Sequence, residues 1–264
     1  MKLLEPGKES PPLFEITSAY ICEKDGPDKK YVMYTLQVRH ASGKEDALPA
    51  TIDRRYTDFL NLCTELRKEF PELMGNVQFP KKVLLGNFDN VLIASRSTGF
   101  EAFLQHVSSI QKLHSSHALR CFLQNEELNK AKDLISKKEY SYAMSVLENM
   151  FRLLSNIYTD RSPVVLFALC RLLGCSVLLP GSPNADKWAD LALHRFMGVS
   201  DSELLVLYLP LLKECIKVGS HKGKDTERLE KMFAHLLRQG LKLNQTLTFL
   251  EMVEQVEGNV LESR

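Results

Sequence analysis

The sequence predicts an α+β domain, a three-stranded antiparallel meander with helices, followed by an all-α domain. Two observations carry this. Runs rich in β-branched and aromatic residues precede Thr57, where the apolar period changes from two to between three and four. After Glu126 no strand pattern returns. At 264 residues the chain is long enough for two domains, and its 44% hydrophobic content supplies cores of ordinary density. The expected division is an N-terminal tail at 1–12, a first domain at 13–126 and a helical domain at 127–264.

The first two strands are read in LFEITSAYI (Leu13 to Ile21) and KYVMYTLQVRH (Lys30 to His40), separated by the turn-forming EKDGPDKK. A third follows HASGKED in ALPATIDRRY, Ala47 to Tyr56. Short strands with tight connections form meanders. From Thr57, a candidate N-cap, Phe59, Leu60, Cys63, Leu66 and Phe70 mark a helical stripe, which Pro71 ends. VQFPKKVLLGNF reads as an irregular basic and apolar loop. Beyond it Leu92, Phe100, Phe103, Leu104, Val107 and Ile110 form a second stripe, and SSHALRCFLQNEE supplies a short closing helix.

The rest reads as successive helices with short polar or Gly/Pro connections, as stacked helical hairpins require. No clean 34-residue self-similarity is present, so the expectation is a degenerate tetratricopeptide-like bundle. Pro210 within LYLPLLK predicts a kink or break.

Several function classes lack support. The longest apolar run, Val164 to Leu179, is interrupted by Arg171 and Gly174, short of the roughly 20 apolar residues of a membrane span. MKLLEPGKESPP is unlike a signal peptide, which points to the cytosol. The six cysteines show no C-x-x-C spacing and read as reduced core residues. A net charge of +1 argues against nucleic-acid coating, so any anion site must be local. His114 and His117 lack further metal ligands at zinc spacing, and GSHKGKDT lacks the phosphate-loop pattern and follows a helix. No catalytic set, metal or cofactor is expected.

The stretch IDRRYTDFLNL places Arg54, Arg55 and Tyr56 where strand gives way to helix. With FPKK (Lys81, Lys82) and RSTGFEAFL (Arg96), it resembles the phox-homology (PX) domain of the sorting nexins: RRYTDF for the family's R-R/K-Y-S-D/E-F corner, FPKK for its P-x-K loop, and RSTGFEAFL for its R-x-x-G-L-E-x-F-L helix. The matches occur in family order over roughly Leu13 to Asn125. The resemblance implies that Arg55 grips the 3-phosphate of a phosphoinositide and that the Tyr56 ring forms a floor under the inositol. Lys82, with Lys81 the alternative, would meet the 1-phosphate, and Arg96 the 4- and 5-hydroxyls. Guanidinium binds phosphate oxygens bidentately and ammonium serves as a point charge, which suits these residue types. Arg54 reads either as a strand-side or surface charge or as a second contact. In PX domains, residues placed like Val83, Leu84 and Leu85 enter the lipid interface; core packing is their alternative.

The helical half resembles the PX-associated helical domain of one small sorting-nexin branch, with Ala131, Tyr140 and Ala143 placed as in a tetratricopeptide hairpin. Trp188, Tyr140 and Tyr142 are aromatic contact candidates. The resemblance implies a cytoplasmic adaptor in protein trafficking, peripheral on early endosomes through phosphatidylinositol 3-phosphate, with a protein partner or cargo tail on its helical half. A soluble protein-binding scaffold with a PX-like fold is the alternative.

Overall fold

The computed structural model describes residues 12–23, 30–39, 49–179, 181–197, 199, 202–242 and 246–262. Contacts among Cα atoms divide the chain into two compact units, Met1–Glu126 and Glu127–Arg264.

In the first unit β1 (Leu13–Glu23), β2 (Lys30–Arg39) and β3 (Ala50–Arg55) form one antiparallel sheet in the order β1-β2-β3. The expected third strand began at Ala47, but Ala47 and Leu48 lie outside the described residues, as do His40 and all of the expected tail except Pro12. Along β2 the period of two is plain: Val32, Tyr34, Leu36 and Val38 are buried and the residues between them are less so. Leu36 pairs with Ile16 on one side and Ile52 on the other. The β1–β2 register shifts between Ile16 and Ser18, and there the Ile16 backbone N–H donates to Glu101 Oε1 at 2.7 Å. A bulge thus frees a donor, which a helix side chain satisfies.

Helix α1 (Tyr56–Glu69) begins at the residue after β3 ends. The cap is not the expected Thr57 but Arg55, extended at φ −87°, ψ 162°, whose backbone N–H donates to Asp58 Oδ2 at 2.7 Å. The buried stripe of α1 is Phe59, Leu62, Cys63 and Leu66; Leu60 and Phe70 are only half-buried. Pro71 ends α1 as expected and opens α2 (Pro71–Met74) at a position where its missing N–H is harmless. Helix α3 (Asn90–Ser109) is capped by Asp89, whose Oδ1 accepts from the N–H groups of Val91 and Leu92 at 2.9 and 3.0 Å. Helix α4 (Gln111–His114) follows. The short closing helix is instead the start of α5 (His117–Ser136), a 20-residue helix within which the division between the units falls.

Rings fill the first core. Phe59 and Phe100 stack at 3.9 Å, Tyr34 meets Phe100 edge-on at 5.1 Å, and Phe79 meets Phe103 edge-on at 5.3 Å. Such pairs contribute about 0.5–1.5 kcal/mol beyond the area they bury. Arg54 joins this core and is neither of the alternatives the sequence left open. It is 2% exposed, donates from Nε to the Phe122 carbonyl and from Nη1 to the Asp53 carbonyl, both at 2.8 Å, and lies 3.5 Å from Glu126 Oε2. Facing Tyr34 across the sheet, it belongs to the buried face of β3.

The second unit is all-α. Lys138, at φ 61°, ends α5, and α6 (Tyr140–Ile157) opens two residues later. Helix α7 (Pro163–Leu178) is buried continuously from Val164 to Ser176 and packs against α6, α8 (Ala185–Phe196), α10 (Tyr208–His221) and α12 (Phe249–Glu262). A helix apolar on all sides needs such neighbours. The expected helix through Pro210 is broken: α9 (Ser202–Leu205) stops, and α10 restarts at Tyr208 so that Pro210 falls in its first turn. Helix α11 (Glu227–Arg238) packs on α10. This stacking of successive helices is the arrangement tetratricopeptide-like arrays use. Trp188 is core, edge-on to Phe151 at 5.8 Å, whereas Tyr142 is exposed.

Arg54→Ala removes charged donors from the Phe122 and Asp53 carbonyls, the first bond buried and the second partly so, and empties a core position. It should cost about 3 kcal/mol of stability, read as a lowered midpoint in urea unfolding; an unchanged midpoint would place Arg54 outside the core.

Candidate functional site

The site residues come from three segments: the β3–α1 corner, the loop from Val77 to Asp89, and the first half of α3. Arg55 is exposed, and its guanidinium carbon sits 4.9 Å from the centre of the Tyr31 ring. The pairing of Met33 with Arg55 makes Tyr31 its diagonal neighbour across the sheet. Among the described residues its guanidinium has neither hydrogen bond nor ion pair.

Tyr56 turns the other way. Its hydroxyl donates to the Pro80 carbonyl at 2.8 Å, its ring lies tilted against Phe79 and Phe100 with centres 6.0 Å apart, and Arg96 lies against its ring, 4.4 Å from the centre. The expected floor under a sugar ring is therefore already occupied on one face by a guanidinium. Burial raises the Tyr56 hydroxyl above its ordinary pKa, and the Arg96 charge opposes that shift. Tyr34, also raised by burial, feels the same opposing charge.

Arg96 is 3% exposed. Its Nη2 donates to Asn87 Oδ1 at 3.1 Å and approaches the Lys81 carbonyl at 3.5 Å, and its Nε is buried without a partner. Among the described residues no carboxylate pairs with it. A buried cation that lacks a counter-charge and keeps an unused donor is expensive unless an anion or hydroxyl completes it.

The loop is held at both ends. Pro80 packs on Gly99, where an added Cβ would lie 2.5 Å from Pro80 Cγ, so only glycine lets the loop reach the helix. At the other end Asn87 Nδ2 donates to the Val83 carbonyl at 3.3 Å. Between these anchors the chain projects outward. Lys81 and Lys82 are exposed and have no ion pair among the described residues. Leu84 is 94% exposed and Leu85 88%, while Val83 is half-buried. Core packing is thus excluded for the two leucines. Phe88, half-exposed, and Val91, 78% exposed, are further apolar side chains open to solvent between the loop and the start of α3. Sequence reading missed both, because Val91 follows the loop and Phe88 fits no periodic stripe; their closeness to Leu84 and Leu85 in the chain was the available signal. It missed Asn87 and Glu101 as well. Glu101 was the acidic member of the α3 motif, so a partner for it could have been sought.

The structure thus gathers Tyr56, Arg96 and the backbone of Pro80 and Lys81 by direct contact. It does not show the side chains of Arg55 or Lys82 touching them. In the second unit burial disfavours the thiolate, pushing Cys175 up to about 11, Cys215 up to about 12 and Cys170 well above its ordinary value. Among the described residues no His, Cys, Asp and Glu group of three or more could hold a metal, and no helix is long and apolar enough to cross a membrane.

The family described as PX domain matches residues 44–126. Sorting nexin-20 of Bos taurus is 32% identical over 220 residues, covering 83% of this chain and 67% of that protein. The chain belongs to the sorting nexins. That alignment is longer than either compact unit, so the relationship takes in both. Human sorting nexin-21 is 34% identical over 230 residues, 87% of this chain and 60% of its own length, so the chain spans less than two thirds of that relative. A crystal structure of the mouse SNX19 PX domain with bound sulphate is 26% identical, covering 41% of this chain and 92% of that one, with a TM-score of 0.34.

Gly99→Ala forces Pro80 off α3, since neither ring nor helix backbone can yield the missing space. Overpacking of this kind costs about 1–3 kcal/mol. The expected result is faster trypsin cleavage after Lys81 and Lys82 with little change in helix content; cleavage at the original rate would show that the loop does not depend on this contact.

Proposed function

We propose that this sorting nexin is a peripheral-membrane adaptor whose PX domain binds phosphatidylinositol 3-phosphate and recruits the chain to early endosomes. The observation that carries the reading is Arg96, buried on the face of Tyr56 without a carboxylate, beside a loop whose two lysines are unpaired among the described residues. In this reading Arg55 grips the 3-phosphate from its exposed corner, Lys82 meets the 1-phosphate, and Arg96 takes the ring hydroxyls. Tyr56 serves by seating Arg96 and by fixing Pro80 through its hydroxyl.

Leu84 and Leu85, with Phe88 and Val91 beside them, would enter the bilayer next to the headgroup. Each apolar side chain moved fully out of water contributes about 1.5–3 kcal/mol. Anionic lipid adds about 1 kcal/mol for each nearby lysine. Headgroup, wedge and charge together give an attachment that none gives alone.

The helical unit is the protein-binding half in this reading, taking a partner or cargo tail through an exposed helical surface. The fold supports that assignment by offering stacked helices. The protein acts by binding, with no catalytic step.

Arg55→Ala should leave the fold intact and weaken binding to vesicles containing phosphatidylinositol 3-phosphate by about 2–5 kcal/mol. Co-sedimentation of the unsubstituted and substituted chains measures this, and equal binding would remove Arg55 from the site. Failure of the unsubstituted chain to bind any phosphoinositide would favour the soluble scaffold.

Leu84→Asp with Leu85→Asp separates wedge from pocket. The double variant should lose most of its vesicle binding and keep its affinity for a soluble short-chain headgroup. Equal losses in the two assays would show that the leucines shape the pocket itself.

A further inference from the structure

We propose that the side-chain amide of Asn87 sets which headgroups the site admits, accepting hydroxyls beside Arg96 and refusing a second phosphate there. This rests on the phosphoinositide reading above and adds to it a specificity residue.

The argument begins with what Arg96 has left to offer. A guanidinium clamps a phosphate through two parallel N–H groups of its fork. Here Nη2 is committed to the loop, through Asn87 Oδ1 at 3.1 Å and the Lys81 carbonyl at 3.5 Å, and the Tyr56 ring covers a face of the guanidinium. Of the other two nitrogens, Nε is buried with no partner and Nη1 makes no hydrogen bond among the described residues. Arg96 is 3% exposed, so little of its fork is open to an incoming group.

The chemistry of the neighbours points the same way. A hydroxyl both donates and accepts, so one lying beside Arg96 can accept from the guanidinium and donate to Asn87 Oδ1. An ionised phosphate oxygen only accepts, and Asn87 Oδ1 and the Lys81 carbonyl would face it with acceptor against acceptor. The amide therefore rewards a free hydroxyl and opposes its phosphorylation.

Asn87 is built to stay in that orientation. Its Nδ2 donates to the Val83 carbonyl at 3.3 Å while its Oδ1 faces a group that can only donate, so turning the amide over would lose both bonds. The turn that presents it needs Gly86 at φ 77°, and it is closed by the Asp89 N–H donating to the Gly86 carbonyl at 3.0 Å.

The test uses the full chain and three soluble dibutanoyl lipids: phosphatidylinositol 3-phosphate, the 3,4-bisphosphate and the 3,5-bisphosphate. Calorimetric titration gives each ratio of bisphosphate to monophosphate affinity. A general loosening of the loop weakens all three alike and leaves the ratios unmoved. Asn87→Ala frees Nη2 and should raise at least one ratio by about tenfold, the scale of one hydrogen bond to a charged group. Asn87→Asp keeps the acceptor toward Arg96 but lacks the donor to Val83, and its ratios should stay at or below those of the unsubstituted chain. Unchanged ratios in Asn87→Ala would overturn the proposal, as would an equal rise in both variants, which would mean that the amide only ties down the loop. If the unsubstituted chain binds none of the three lipids, the phosphoinositide reading falls and the filter falls with it; if it binds the monophosphate and the ratios do not move, only the filter falls.

Discussion

The first unit depends on a corner without a linker. β3 ends at Arg55 and α1 begins at Tyr56, so three consecutive side chains must leave the backbone in the directions that a strand end and a helix start impose. Period two sends Arg54 into the core opposite Tyr34 and Arg55 out toward Tyr31. The helix then turns Tyr56 toward Pro80 and Arg96. One arginine closes the core by donating to carbonyls, and its neighbour keeps its donors for something else. Inserting a residue at this corner would exchange the two roles, because a shift of one reverses the faces of a strand.

The second constraint is the cost of burying Arg96. An uncompensated charge in the interior loses its hydration, and the surroundings recover part of that loss through the Tyr56 ring and the loop oxygens. Helix α3 bears the cost because it is held elsewhere: Asp89 caps it, Glu101 binds the β1 bulge, and Phe100 stacks on Phe59. Gly99 is where that helix yields space to the loop. Residues of one helix thus set both the position of the cation and the course of the chain that covers it.

Much of this was legible in the sequence because it is periodic or comes in motifs. The alternation in KYVMYTLQVR and the stripe Phe100, Phe103, Leu104 and Val107 correspond to buried faces. Other features depend on through-space events that no local pattern encodes. The helix start at Tyr56 was misjudged because Thr57 suits a cap by type, whereas the cap is made by a carboxylate reaching back from Asp58. The continuity of α5 was missed because the domain boundary expected after Glu126 separates the helix SSHALRCFLQNEE from the one that opens at LNKAKDL, although no residue there prevents a helix. Arg54 was undecidable because an arginine is buried only where carbonyls await it, and Phe122 is far off in sequence. Asn87 gave no signal because its importance lies in what Arg96 has to spare.

A chain of net charge +1 can still hold a local group of unpaired cations. In the helical unit Arg171 pairs with Glu257, Arg195 with Asp160, Lys132 with Glu254, Lys217 with Glu214, and Lys224 with Asp186 and Asp190. Pairing of this kind cancels the field a few ångströms away, since positive and negative ends are equally near any approaching ion. In the first unit Arg55, Lys81 and Lys82 stand exposed and unpaired among the described residues, on segments next to a buried Arg96. Screening in salt erases a diffuse net charge within about 8–10 Å but leaves a close cluster effective at contact. In the proposed reading it is the local arrangement of these four cations, and not the balanced total, that draws the anion.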